Sequence, residues 1–159
     1  MIRIEQIMAH PLYIEAMAGI QDAERDRIFC RHGLEHCLDV ARILYIMVLE
    51  QHLDYDKEVI YATALLHDIG RYEEYMHEIS HHEAGIRLAE EILGDCDFAQ
   101  DEKTMILQAI GDHKKYDAKG QEFSRLLYQA DKRCRGCYAC KARKDCYWKE
   151  ERKNSTIIY

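Results

Sequence analysis

The sequence predicts an all-α chain: a bundle of helices joined by short connections and followed by a short Cys-rich extension. Three observations carry this expectation. One proline, Pro11, and eight glycines in 159 residues leave little of the turn chemistry that a sheet-rich fold needs. Apolar residues recur at helical rather than alternating spacing along most of the chain. Several of the periodic segments are bracketed by residues that start or stop helices. Hydrophobic residues make up 48% of the chain, enough for a core, and the length suits one domain with a small appendage.

Each element has its own justification. Residues 3–18 carry Ile4, Ile7, Met8, Leu12 and Ile14 at loosely helical spacing, and Pro11 marks a break or turn among them. Residues 33–50, "GLEHCLDVARILYIMVLE", form the clearest helix. Leu34, Leu38, Ala41, Tyr45 and Val48 make one stripe, widened by Val40, Ile43 and Met47, while Glu35, Asp39 and Arg42 occupy a narrow polar side. So much apolar perimeter predicts a central helix. His36 lines up with Val40, Ile43 and Met47, which places it inward. Residues 56–69 follow, with Asp56 as N-cap and Gly70 as the C′ residue, so that His67 and Asp68 fall in the last turn. "SHHE", residues 80–83, has the form of a capping box, Ser80 at the N-cap and Glu83 at N3. The helix it opens runs to Leu93, before Gly94. His81 shares a stripe with Gly85, Leu88 and Ile92, and His82 with Ile86, Ala89 and Leu93. Two more helices are predicted at 101–113, with Ile106, Ile110 and His113 on one face, and at 122–133, with Ser124, Leu127 and Asp131 on one face.

The predicted division is a helical domain over residues 1–133 and a basic Cys-rich extension over 134–159. The charge is uneven. Residues 132–153 carry nine Lys or Arg against Asp145, Glu150 and Glu151, a net +6, so the remainder bears −13 within the overall −7. Such an extension is expected to dock on the acidic body or on a second subunit of a homodimer. Tyr138, Tyr147 and Trp148 are its only large aromatics before the C-terminal residues, which argues against nucleic acid as the partner. No run of about 18 uncharged apolar residues exists, and Met1–Glu5 opens no signal-peptide core, so the expected location is the cytoplasm, with no membrane partner. Seven cysteines in that compartment read as thiols or metal ligands rather than disulfides.

The chemistry starts at "ATALLHDIGR", residues 62–71. Asp68 follows the apolar run Ala62, Ala64, Leu65, Leu66. A buried carboxylate without a partner costs several kcal/mol or more, so a cation, a hydrogen-bond network or a metal ion must compensate it. His36, His67, Asp68 and Asp131 supply two imidazoles and two carboxylates from three helices. That donor set suits a divalent ion among Mn, Fe, Co, Ni, Mg and Zn and leaves positions open for water and substrate.

In its ordered residues the sequence resembles the HD-domain metal-dependent phosphohydrolases. The pattern is a His on one helix, a His-Asp pair ending another and a distal Asp, here His36 in "EHCLDVAR", His67 and Asp68 in "LLHDIGR" and Asp131 in "YQADK". "HHEAG" and "AIGDHKK" supply the further histidines, and the resemblance implies that His81 and His113 hold a second ion, with Asp68 bridging the two. His81 is preferred over His82 because Gly85 on its stripe allows a close approach. The resemblance spans residues 30–133 and implies an HD-type helical bundle with one or two metal ions that hydrolyses a small phosphorylated substrate by metal-activated water. Arg71, Lys114 and Lys115 lie beside the ligands in sequence and are the candidates to offset phosphoryl charge; each is equally readable as a solvated surface charge. His32 reads as a contact behind the ligands, a phosphate contact, or a residue at the start of its helix. The Gly-Tyr-Pro stretch of the cyclic-dinucleotide phosphodiesterase branch is absent, and "HKKYDAKG" stands at the comparable place. Two other classes share the ligand pattern: di-iron oxygenases of the same fold, and regulatory or binding modules with a vestigial site.

Cys134, Cys137, Cys140 and Cys146 follow the spacing C-x2-C-x2-C-x5-C. Four thiolates can close a tetrahedral zinc site and staple a short segment that lacks its own core. The spacing also approaches an iron–sulfur run, with a longer last gap and no proline. A metal-free hairpin of thiols, or a disulfide, is the alternative. Cys30, Cys37 and Cys96 are expected to be packing residues.

Overall fold

A computed structural model describes residues 1–159. Its elements, in chain order, are α1 Ile2–Ala9, α2 Pro11–Ala23, α3 Leu34–Glu50, α4 Lys57–Leu66, α5 Arg71–His77, α6 His81–Gly94, α7 Gln100–Asp112 and α8 Glu122–Arg133, followed by single 3-10 turns at Cys137–Ala139 and Glu150–Arg152. There are no strands, as the sequence predicts. No helix is long and apolar enough to cross a membrane.

The first predicted element is two helices. Pro11 occupies the first turn of α2, where its missing N–H costs nothing, and the His10 ring accepts a hydrogen bond from the Leu12 N–H as the cap. α3 is the central helix. It buries Cys37, Val40, Ala41, Ile43, Leu44, Met47 and Val48 and packs against α4 and α8. Leu38 and Tyr45 from the predicted stripe are only half-buried, because the buried arc centres on the Val40–Leu44–Met47 side. α7 packs on α4, α6 and α8. Arg3 ties α1 to this body through Asp56, Glu58 and Glu102.

α4 begins as expected: Asp56 Oδ1 accepts the N–H groups of Glu58, at 2.8 Å, and Val59, at 3.2 Å. It ends at Leu66, three residues earlier than predicted. His67–Gly70 form a turn leading into α5, a helix the sequence did not announce. Gly70 has φ −65° and ψ −13°, so it is not the left-handed C′ residue expected of it. The glycine is required by a crossing. A Cβ at position 70 would overlap the His81 carbonyl oxygen and stand 2.5 Å from the Gly85 nitrogen. The turn that carries His67 and Asp68 therefore presses directly on the first turns of α6. Ser80 precedes α6 without a side-chain cap bond, so the capping box does not form.

The extension folds back onto its own chain. The Asn154 amide donates to the carbonyls of Lys132, Arg133 and Arg135 at the end of α8, and Tyr147 meets Phe29 edge-on in the loop before α3.

Candidate metal centre

The turn after α4 is held rigidly by its neighbours. Leu65, Leu66 and Ile69 are 0–1% exposed, which fixes the backbone on both sides of His67 and Asp68. α3 brings His36 and α8 brings Asp131. Ligand atoms of His36, His67, Asp68 and Asp131 all lie within 4.8 Å of one another. His36 Nε2 is 3.6 Å from Asp68 Oδ2 and 3.3 Å from Asp131 Oδ1, and His67 Nε2 is 3.2 Å from Asp68 Oδ2. The quartet read from the sequence is thus one cluster.

Both imidazoles of the quartet are oriented by their other nitrogen. His67 Nδ1 donates to the Ala64 carbonyl at 2.8 Å. His36 Nδ1 faces the Cys134 thiol at 3.4 Å, which in turn donates to the Asp131 carbonyl. Burial pushes the Cys134 thiol up to about 12, so it stays a neutral donor. These bonds leave Nε2 of each ring as the lone-pair atom aimed into the cluster. His36 Nε2 and His67 Nε2 are buried without a hydrogen-bond partner.

Electrostatics point the same way. Burial by itself would raise the Asp68 carboxyl, but the adjacent His67 and the His113 and His36 imidazoles around it hold it well below the usual carboxylate range. Asp131 behaves alike: burial opposes, and His36, Arg135 and Lys132 hold it ionised. Burial would likewise lower His36, yet Asp131 and Asp68 raise it. Both buried carboxylates are thus held ionised beside the two Nε2 atoms. Orphaned Nε2 atoms beside paired carboxylates fit a divalent metal.

A second group of ligand atoms, from His81, His82 and His113, also lies within 4.8 Å. His113 follows the end of α7 and donates from Nδ1 to the Ile110 carbonyl, turning Nε2 toward Asp68 Oδ1 at 3.6 Å. His81 Nδ1 pairs with Glu74 Oε1 at 3.0 Å. Both ring nitrogens of His82 are buried and unpartnered, and burial with neighbouring His81, His113 and Lys114 lowers its pKa to about 4, leaving it neutral. The choice between His81 and His82 is therefore settled in favour of neither: both face the group. Asp68 lies between the two groups, with Oδ2 toward His36 and His67 and Oδ1 toward His113.

Of the three expected cations, Arg71 meets the centre and the two lysines form no ion pair with its carboxylates. Arg71 Nε bonds Asp68 Oδ1 at 2.9 Å. Lys114 and Lys115 are exposed past the end of α7, where the chain turns outward, and line a separate cavity of about 260 Å³. Their place is taken by Lys132 and Arg135, whose nitrogens lie 2.5 and 2.8 Å from Asp131. Sequence reading missed these two, although both fall within one helical turn of Asp131. His32 precedes α3 rather than lying on it. It is buried and bonded to Glu24 through its ring, at 2.5 Å, and its backbone N–H.

Of the four thiols predicted to form one site, Cys137, Cys140 and Cys146 line one cavity and Cys134 does not. Cys134 faces His36, and no three of the seven cysteines bring their sulfurs within 4.8 Å of one another. Cys37 and Cys96 are buried in the core as expected, but Cys30 is exposed and lines a cavity.

Residues 33–142 match the family described as HD domain. The chain belongs to the HD-domain family. Membership points to a superfamily of metal-dependent hydrolases. An uncharacterized protein of Clostridium beijerinckii (strain ATCC 51743 / NCIMB 8052) is 39% identical over 159 residues, all of both chains. No solved structure matches.

Proposed function

We propose that this HD-domain chain is a metal-dependent phosphohydrolase acting on a small phosphorylated substrate. One observation carries the reading. Arg71, Lys132 and Arg135, which pair with Asp68 and Asp131 of the quartet, together line a cavity of about 530 Å³ whose lining holds no carboxylate. A second cavity, of about 740 Å³, is lined by His36 and carries Glu35 and Asp39 beside Arg31 and Arg135. The lining of the first cavity, cationic without a carboxylate, favours an anionic substrate.

His36, His67, Asp68 and Asp131 would hold the ion, with His81, His82 and His113 available for another. A divalent ion there supplies Lewis acidity toward the phosphoryl group and a source of activated water. The chain's own contribution is placement of charge. Asp68 holds Arg71, and Asp131 holds Lys132 and Arg135, so three cations are fixed at the cavity wall before substrate arrives. Preorganised cations of this kind stabilise the charge that builds on phosphoryl oxygens. Ala64 and Ile110 carbonyls keep the His67 and His113 rings from turning.

The test is elemental analysis of chelator-free protein, followed by phosphate release from nucleotides and sugar phosphates with Mn, Fe, Co, Ni, Mg and Zn in turn. Asp68→Asn should lose both metal and activity. Metal-loaded protein that releases phosphate from none of these, while consuming dioxygen with ferrous iron, would overturn the reading in favour of an oxygenase.

A further inference from the structure

The extension after α8 needs something to hold its shape. Residues 134–159 contain only two 3-10 turns, and their buried apolar side chains are Cys137 and Ala142. Two small side chains make no core. The loop before α3, residues 26–33, is equally poor in burial: its buried residue is His32. These two segments face each other across the 530 Å³ cavity. Four cysteines line it: Cys30 from the loop, and Cys137, Cys140 and Cys146 from the extension. All four are free thiols. Cys134 does not line this cavity; its sulfur is 3.1 Å from the Asp131 carbonyl.

We propose that Cys30, Cys137, Cys140 and Cys146 ligate an iron–sulfur cluster that staples the loop before α3 to the C-terminal extension. The composition of the cavity suits the charge of four thiolates. Arg27, Arg143, Arg152 and Lys153 line it, and no carboxylate does. Arg27 Nε also holds the Cys30 carbonyl at 2.9 Å, and Arg143 holds the Cys137 carbonyl at 3.0 Å, so two of these cations are built into the backbone that presents the ligands.

The open cavity between the four cysteines suits a cluster better than a single zinc ion. A tetrahedral zinc site with Zn–S bonds of about 2.3 Å draws its sulfurs to about 3.8 Å from one another. No three sulfurs here are within 4.8 Å. In a cluster the thiolates sit on irons separated by inorganic sulfide, which spreads them further apart and occupies the space between them. Ligation replaces the proton of each thiol by a bond to iron; ferrous and ferric iron with inorganic sulfide supply the core, and no further oxidant is needed.

The experiment uses the full chain, purified anaerobically and supplied with ferrous iron, ferric iron and sulfide. Expected are a brown protein with broad visible absorption and iron matched by acid-labile sulfide. Cys30→Ser and Cys146→Ser should each lower bound sulfide at least five-fold, whereas Cys134→Ser should retain it. In wild-type protein, alkylation followed by mass spectrometry should find Cys30, Cys137, Cys140 and Cys146 protected until the cluster is stripped. That readout stands even if a serine variant fails to fold. Stoichiometric zinc without sulfide, free alkylation of all four thiols after reconstitution, or loss of sulfide in Cys134→Ser but not in Cys30→Ser would each overturn the proposal. The cluster would take up part of the cavity that the proposed hydrolysis gives to substrate, but none of these readouts depends on phosphate release, so failure of one assignment is distinguishable from failure of the other.

Discussion

Gly70→Ala and Gly85→Ala should change stability in opposite directions. Gly70 has right-handed backbone angles, which alanine adopts without strain. On backbone grounds alone the substitution would stabilise by about 0.4–1 kcal/mol, by restricting the unfolded chain. The crossing with α6 reverses the sign. The new methyl would overlap the His81 carbonyl oxygen, with Gly85 N at 2.5 Å and Gly85 Cα at 2.8 Å, and all three are backbone atoms that no rotamer change can move. Overpacking costs about 1–3 kcal/mol or more, and overlap with backbone belongs at the upper end, so a net loss of about 2 kcal/mol is expected. For a chain of this length each kcal/mol is worth about 2–4 °C, which gives a fall in Tm of roughly 4–8 °C. At Gly85 the added methyl would meet Ile110 Cγ2 at 3.6 Å and Gly70 N at 3.7 Å, ordinary contacts. Within a helix, alanine is favoured over glycine by about 0.5–1 kcal/mol, so Gly85→Ala should raise Tm by roughly 1–4 °C. Thermal melts followed by circular dichroism measure both. A Gly70→Ala protein that melts at or above wild type would refute the crossing. Equal losses at both sites would mean that the intolerance belongs to the helix pair as a whole.

Other expectations follow from single contacts. Glu24 is drawn down to about 2 from its ordinary 4.5: burial opposes the shift, and hydrogen bonds from the His32 ring, the Tyr75 hydroxyl and the His32 N–H outweigh it. A folded value below the unfolded one stabilises fully above about pH 4.5 and fades as pH falls toward 2. Urea midpoints should therefore show Glu24→Gln destabilised at pH 7, with the gap to wild type narrowing between pH 4.5 and 3; a gap that widens there reverses the sign of the argument. Asp56→Ala removes the cap of α4 together with an exposed pair to Arg3, and its stability should fall by about 1 kcal/mol in the same assay, against no change if both are idle. Arg135→Ala should lower kcat for the proposed hydrolysis by at least ten-fold while retaining metal. Loss of metal instead would show that Arg135 only positions Asp131. Chelator treatment should abolish activity, with recovery on adding back one of the divalent ions; activity that survives metal removal contradicts the quartet.

The helices were legible where pattern and burial agree. The apolar perimeter of residues 33–50 exceeds what a surface helix shows, and α3 is indeed central. His36 was placed inward by its register with Val40, Ile43 and Met47, and His67-Asp68 by the apolar run before it. The family's ordered residues then tied these to Asp131, and the structure brings all four together. Register along one helix is a local property, so sequence carries it.

What only the tertiary structure decided are contacts between segments far apart in the chain. His82 counted as the poorer partner because Gly85 marked its neighbour's stripe, yet the close approach is made by Gly70, and both histidines reach His113. Lys114 and Lys115 adjoin His113 in sequence but are exposed and line a separate cavity, while Lys132 and Arg135 meet Asp131. Cys30, more than a hundred residues before Cys137, lines the same cavity because the extension folds back on the loop before α3. Sequence spacing reports which side of a helix a residue occupies; it carries no distance between one helix and the next. That distance is set by which apolar faces pack, and it determined the cations, the second histidine group and the cysteine partners.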